Sequence, residues 1–325
     1  KNYLLEVLLS VKLKIFDKFD GELEKLWTSI KVENDNPFLN YEINKTWFDI
    51  FGGNSTLKIF SDNENFIAPM YFQKNVAYLC GGQDLFDYHD FISNQNVNKD
   101  LIKQLFDEIL DKINLVELNS IVSGSKLHKY IIELEKEYEI NYINEDVCPI
   151  IKLPNTFENY LLQLSKKNRH EIRRKIRKFE NNLEFEIVET DSNNVEEHLI
   201  EFLRLMKLNP EKRNFLNQSR IEFMSRVIKY AILSNTGNLT FIKIKNEMVA
   251  TSFEFKNNDK LFVYNSGYND NFSEYSVGLL NHIYNIKNKV SKYKFIDFLR
   301  GSEEYKYRIG CINQDLITIK IKSKS

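Results

Sequence analysis

Ten residues near the C-terminus, Gly301 to Gly310, concentrate acids, bases and rings: Glu303, Glu304, Tyr305, Lys306, Tyr307 and Arg308. They follow a strand-like apolar run, Phe295 to Leu299, which carries Asp297. Rings interleaved with charges are costly to leave unpaired on a plain surface turn. The C-terminal end of a strand is also where open α/β sheets bind ligands. In such a place Glu303 could accept a proton and Tyr305 could give one to a leaving group. Lys306 could neutralise a phosphate or an oxyanion. Asp297 would orient Lys306 or Arg300. The competing reading is a charged loop in which Tyr305 packs and Lys306 is a surface lysine.

Just upstream, Tyr264-Asn265-Ser266-Gly267-Tyr268 is followed by Tyr275-Ser276-Val277-Gly278-Leu279-Leu280. A strand ends, a polar loop follows, and a helix opens with Ser and Gly in its first turn. A helix start offers unpaired N–H groups and the positive end of the dipole. Gly278 would let phosphates approach that backbone closely. Ser276 reads equally well as a plain N-cap. Asn265, Gly267, Tyr268, Tyr275, Ser276, Gly278 and Leu279 are the candidate cofactor-binding residues. Glu254 alternates with Phe253 and Phe255, so it is either a second proton acceptor or the solvent-facing residue of a half-buried strand.

The elements that must position these groups recur along the chain. Strands are expected at Leu57 to Phe60, Phe66 to Phe72 and Val76 to Cys80, then a helix from Lys99 to Ile113 and a strand at Val116 to Leu118. The helix carries Leu101, Leu105, Ile109 and Ile113 on one stripe. The second half repeats the order: strands at Leu239 to Ile244, Val249 to Phe255 and Leu261 to Asn265, a helix from Ser276 to Val290, then Phe295 to Leu299. This diffuse repeat implies two similar α/β units, each a mixed, mostly antiparallel sheet flanked by helices. Chance likeness of two common element orders is the alternative. Between them, Thr156 to Phe179 is patterned as one helix. The boundary is expected at Val147-Cys148-Pro149, giving domains 1–147 and 148–325.

Taken together, these residues resemble the GNAT superfamily, and within it the CelD-like acetyltransferase branch, related to the Fem-type peptidyltransferases. Gly301, Glu303, Tyr305 and Lys306 match the branch's Gly-x-Glu-x-Tyr-Lys loop. Ser276 and Gly278 match its Ser-Pro-Gly helix start, with Val277 in place of proline. Leu164 to Arg177 is similar to the basic helix that opens the family's catalytic domain. Asp87-Tyr88-His89-Asp90 resembles an Asp-Tyr-x-Asp motif of the N-terminal half. The resemblance implies two tandem GNAT-like domains, the first structural and the second catalytic. It implies direct attack of an amine on an acyl-coenzyme A thioester, acetyl-coenzyme A first, with no acyl-enzyme and no metal. The acceptor would be an amine of a small molecule, sugar or envelope precursor, as in polysaccharide or cell-envelope biosynthesis. Its candidate contacts are Asp87, Tyr88, Glu254, Arg169 and Arg173. The fuller pyrophosphate signature, Arg or Gln followed by two spaced glycines, is absent. An aminoacyl-tRNA donor, as in the Fem-type relatives, therefore stays open, as does a degenerate domain that binds anions or nucleic acid.

Lys166, Lys167, Arg169, Arg173, Arg174, Lys175, Arg177 and Lys178 crowd one segment, with Ile172, Ile176 and Phe179 on its other side. It reads as a solvated amphipathic helix, a phosphate-binding face, or a nucleic-acid or membrane contact. Any such attraction is local, because the net charge of the 325 residues is −1. Three scattered cysteines give no disulfide framework and suggest a reducing compartment. The five histidines show no metal-ligand spacing. Tyr3 to Leu9 is apolar but is interrupted by Glu6, with Lys12 and Lys14 close behind. It reads as a first strand or helix rather than a membrane span or leader, and a cytoplasmic location is expected.

Overall fold

A computed structural model describes residues 12–32 and 36–324. The apolar opening Tyr3 to Leu9 lies outside them. In chain order the elements are β1 (Lys14–Phe16), α1 (Gly21–Ser29), α2 (Tyr41–Phe51), β2 (Thr56–Ser61), β3 (Phe66–Gln73), β4 (Val76–Leu79) and β5 (Ile92–Ser93). There follow α3 (Lys99–Leu110), β6 (Leu115–Val122), α4 (Lys126–Glu133), β7 (Tyr138–Lys152), α5 (Phe157–Gln163), α6 (Lys166–Asn182) and β8 (Phe185–Glu189). Next are α7 (Val195–Leu208), α8 (Pro210–Phe215), α9 (Gln218–Leu233), β9 (Gly237–Ile244), β10 (Glu247–Asn257) and β11 (Lys260–Tyr268). The last are α10 (Val277–Lys289), β12 (Phe295–Asp297), α11 (Glu304–Arg308) and β13 (Ile312–Ser323).

These elements gather into two units, residues 12–32, 52–144 and 317–324 in one, and 36–51 and 145–316 in the other. In the first, β1, β2, β3 and β4 pair antiparallel in sequence, and β6 returns parallel to β4 after α3. The α3 stripe buries Ile102, Leu105, Phe106 and Ile109 in that unit's core, close to the expected face. Asn98 starts the helix by accepting the Leu101 N–H at 3.1 Å.

In the second unit β8, β9, β10 and β11 pair antiparallel, and β12 returns parallel to β11 after α10. The order of these five strands and the sense of their pairings repeat those of β1, β2, β3, β4 and β6 in the first unit, which is the mixed α/β architecture expected. The sheet is covered on both faces. Ser252 and Glu254 of β10 reach Asn285 and Lys289 of α10. Phe253, between them, packs on the opposite face, where a Cβ on Gly237 would meet both Ala231 of α9 and the Phe253 ring.

Two expected elements differ. The segment Thr156 to Phe179 is two helices, because Thr156 caps α5 and Ser165 caps α6 by accepting the Asn168 N–H at 3.3 Å. The strand beginning at Phe295 stops at Asp297, where the carboxylate accepts the Leu299 N–H at 2.9 Å and Leu299 takes φ of 50°. The expected boundary at Val147 to Pro149 falls inside β7. Cys80, Cys148 and Cys311 are buried free thiols. Among the described residues no helix is long and apolar enough to cross a membrane.

Candidate active site

β11 opens the second unit. It carries one extra residue, Tyr264, opposite the Phe253–Glu254 step of β10, so it bulges there. Its parallel pairing with β12 covers three residues and ends at Phe262 opposite Asp297. There β12 stops, while β11 runs on to Tyr268. The end of β11 and the start of α10 border a pocket. Thr251, Ser266, Gly267, Tyr268, Ser273, Ser276, Val277, Gly278, Leu279, His282 and Tyr305 line this pocket of about 300 Å³.

The start of α10 is the pocket's polar end. Ser276 has left-handed backbone, φ 57°, and its side chain caps nothing within its own helix. Instead its Oγ accepts from Lys175 Nζ at 2.5 Å. Lys178 donates to the Glu274 carbonyl at 3.0 Å and sits over the Tyr275 ring. The basic helix α6 thus brings two cations to the positive end of the α10 dipole, each also near a carboxylate, Lys175 to Glu171 at 3.5 Å and Lys178 to Glu274 at 3.4 Å. Gly278 serves differently from the expectation. A Cβ there would lie 2.7 Å from the Tyr268 ring, so the glycine admits that ring against the helix start. Gly267 is also a packing glycine, since a Cβ would lie 2.6 Å from the Leu205 and Met206 backbone of α7.

The matched loop residues divide into a scaffold and a pocket wall. Gly301 has φ 113°, and a Cβ on it would sit 2.6 Å from the Glu303 carboxylate. Glu303 folds back to Lys306 at 2.9 Å. Lys306 is buried and donates to the carbonyls of Arg300 and Gly301 at 3.0 Å each and of Leu299 at 3.4 Å. It is neither a surface lysine nor a group aimed into the pocket, because its protons are spent fastening the loop. Asp297 is fully buried and holds the turn at Leu299. Tyr305 alone of this set faces the pocket, stacked on the His282 ring at 5.3 Å and 8°. Burial pushes its phenol well above the ordinary range, with the Glu303 charge adding to the effect.

Glu254 is 1% exposed, which corrects the solvent-facing reading. Its carboxylate accepts from Lys289 at 2.9 Å, Asn285 at 2.8 Å, Ser252 at 2.7 Å and Asn238 at 3.0 Å. A carboxylate so filled anchors α10 to β10 and has little left to give an acceptor. Asn265 and Tyr275 lie outside the pocket wall. Arg173 is engaged with Glu158 at 2.8 Å on the surface, and Arg169 reaches the Leu162 carbonyl. Asp87 and Tyr88 belong to the first unit, where Tyr88 is buried. There a Cβ on Gly81 would lie 2.2 Å from the Phe86 ring and 2.6 Å from His89, so side chains fill the space beyond β4.

Two titratable groups, one in the pocket wall and one beside it, escaped sequence reasoning. His282 lies one turn into α10, 4% exposed, with no partner for Nδ1. Burial, reinforced by the charges of Lys212 and Lys306, lowers its pKa to about 3, so the ring is neutral. Lys212 of α8 donates to the Ser266 carbonyl on the pocket wall at 2.5 Å. A lone histidine in an apolar helix and a lysine in a polar run carry no local signal. The i, i+4 spacing of Gly278 and His282 would have placed His282 on the pocket side of the helix.

A bulged strand with a helix start beside it thus forms the centre of this pocket. Residues 166–307 match the family described as acetyltransferase (GNAT) domain. Within this chain the match runs from α6 to α11, less than half of the 325 residues. The chain's fold is shared by a conserved protein of unknown function from Bacteroides thetaiotaomicron, at 13% identity and a TM-score of 0.64, covering 95% of this chain and 100% of that one. FemX aligns at 10% identity and 0.63, covering 94% and 96%. L-PGS from Bacillus licheniformis aligns at 11% and 0.62, covering 96% and 95%. No curated protein matches the sequence.

Proposed function

We propose that the second unit is an N-acyltransferase that moves a short acyl group, acetyl foremost, from a coenzyme A thioester to an amine by direct attack. The first unit has a structural role. The carrying observation is the pocket's electrostatics. Lys175 and Lys178 flank the α10 start, Lys212 and Lys306 act on His282, and among the described residues no carboxylate lines the wall. That environment suits the phosphates of the donor at one end and a neutral acyl group inside. An aminoacyl donor would bring an ammonium into the same field with no acid to meet it. The likeness to FemX favours aminoacyl transfer from tRNA as the second reading, and the exposed arginines of α6 would serve it. A coenzyme A donor places the reaction in the cytoplasm. The acceptor amine belongs to a small molecule, a sugar or an envelope precursor.

For the donor, Ser276, Gly278 and Leu279 with Lys175 would hold phosphates, and Tyr268 must swing off Gly278 to admit them. Calorimetric titration with acetyl-coenzyme A is expected to saturate. Lys175→Met should weaken it about tenfold, the loss of one charge-assisted phosphate contact. No binding of coenzyme A or its thioesters, with stabilisation by charged tRNA, would reverse the choice of donor.

A further inference from the structure

We infer that Lys212, held beside the pocket by its contact with the lining residue Ser266, is the proton acceptor for the attacking amine. The inference rests on the acyl-donor reading above and names the base that reading needs. Asn209 and Pro210 open α8, the Asn209 side chain accepting the Lys212 N–H at 3.1 Å, which fixes where the side chain leaves the helix. Its Nζ donates to the Ser266 carbonyl, and Ser266 lines the pocket just past the β11 bulge. Among the described residues no carboxylate pairs with this ammonium. The charges that act on it are Glu303 and Lys306 of the C-terminal loop, and it acts in turn on His282 of α10. On its own helix Glu211 is exposed and Arg213 is turned away to the Lys207 carbonyl. Lys212 is therefore a half-buried cation held by one carbonyl. Burial lowers its pKa to about 8, Glu303 opposing and Lys306 adding to the shift.

Four other acid–base groups around the pocket are committed. Glu254 is filled by four donors. Glu303 is bridged to Lys306. His282 cannot hold a proton at neutral pH, and the Tyr305 phenol cannot lose one. Lys212 is engaged only with a carbonyl, and its proton affinity matches a base working near neutrality.

The step balances. The amine nitrogen forms a bond to the thioester carbon, whose carbonyl pair moves to oxygen. The uncharged Lys212 amine takes the proton released from nitrogen. The oxygen pair returns, the C–S bond breaks with its electrons on sulfur, and the Lys212 ammonium gives its proton to the thiolate. Amide and free thiol leave, and Lys212 is uncharged again.

The test uses the full chain labelled with ¹³Cε-lysine, the Lys212 resonance being assigned from Lys212→Arg. Lys212 is expected to titrate at about 8, well below the other lysines, and to move on addition of acetyl-coenzyme A. Lys212→Arg keeps the charge and cannot lose a proton. It should bind acetyl-coenzyme A as before and lose transfer by about 100-fold or more, together with the acidic limb of the kcat/KM profile. An oxyanion-stabilising role would instead leave Lys212→Arg substantially active, which refutes a base. Titration above 10, or a Lys212 signal indifferent to acetyl-coenzyme A while other signals move, also overturns the inference. A spectrum wholly unmoved by acetyl-coenzyme A strikes the donor reading itself.

Discussion

Lys306→Met should cost the second unit stability before it costs any chemistry. Methionine keeps most of the stem's volume and removes the ammonium, which is 3% exposed and sits 3.0 Å from two carbonyl oxygens. Charge-assisted bonds of that kind contribute about 1.5 kcal/mol each, and the longer contact to Leu299 adds little. The Glu303 carboxylate at 2.9 Å is 58% exposed, so solvent screening limits the pair to about 0.5 kcal/mol. The expected loss is about 3.5 kcal/mol, which for a unit of this size lowers Tm by about 7–14 °C. Glu303→Gln should cost about 1–2 °C by the same reasoning. Differential scanning calorimetry gives both numbers, and hydrogen exchange should show the loss concentrated at Leu299 to Glu304. The reasoning fails if Lys306→Met melts like the parent protein, or if Glu303→Gln costs as much as Lys306→Met. A stable Lys306→Met protein that had lost turnover would return the lysine to the chemistry.

Lys289→Met strands the buried Glu254 carboxylate and should destabilise by about 3–5 kcal/mol in denaturant titration, with Glu254→Gln in the same chain recovering part of the loss. Gly267→Ala drives a methyl into the α7 backbone and should cost about 1–3 kcal/mol, read in the same way. His282 is neutral when folded, its pKa lowered to about 3, against 6.5 in the unfolded chain. Below pH 6.5 the unfolded state binds a proton that the folded state refuses, so the contribution is whole above that pH and is lost as pH falls. The loss is about 1.4 kcal/mol per unit, about 2 kcal/mol by pH 5. A pH series of melts on the parent and on His282→Gln should show this slope in the parent alone.

The architecture was legible because both halves write it in period-two strands and one amphipathic helix each, and local pattern is what sequence displays. The Ser165 cap and the early end of β12 at Asp297 were missed because one side-chain oxygen decides each. Apolar periodicity does not record it. Within the site, Tyr305, Ser276 and Gly278 were found through a motif, yet the motif did not say what each does. Lys306 and Gly301 turned out to brace the loop, and Gly278 to admit Tyr268. Such roles depend on contacts across the fold, as between Gly278 and Tyr268. Lys212 and His282 owe their altered proton affinity to burial produced by four separate elements, a property that no window of sequence contains.

The path of the backbone has one more consequence. Residues 36–51 join the second unit ahead of nearly all of the first, where Phe51 meets Phe223 and Phe38 meets Phe255 and Tyr264. Residues 317–324 then go back to the first unit at the very end. A single cut at the midpoint therefore robs each piece of something it needs, an aromatic clasp in one and a closing strand in the other. Truncation should yield two insoluble fragments, and co-expression of the two should restore both.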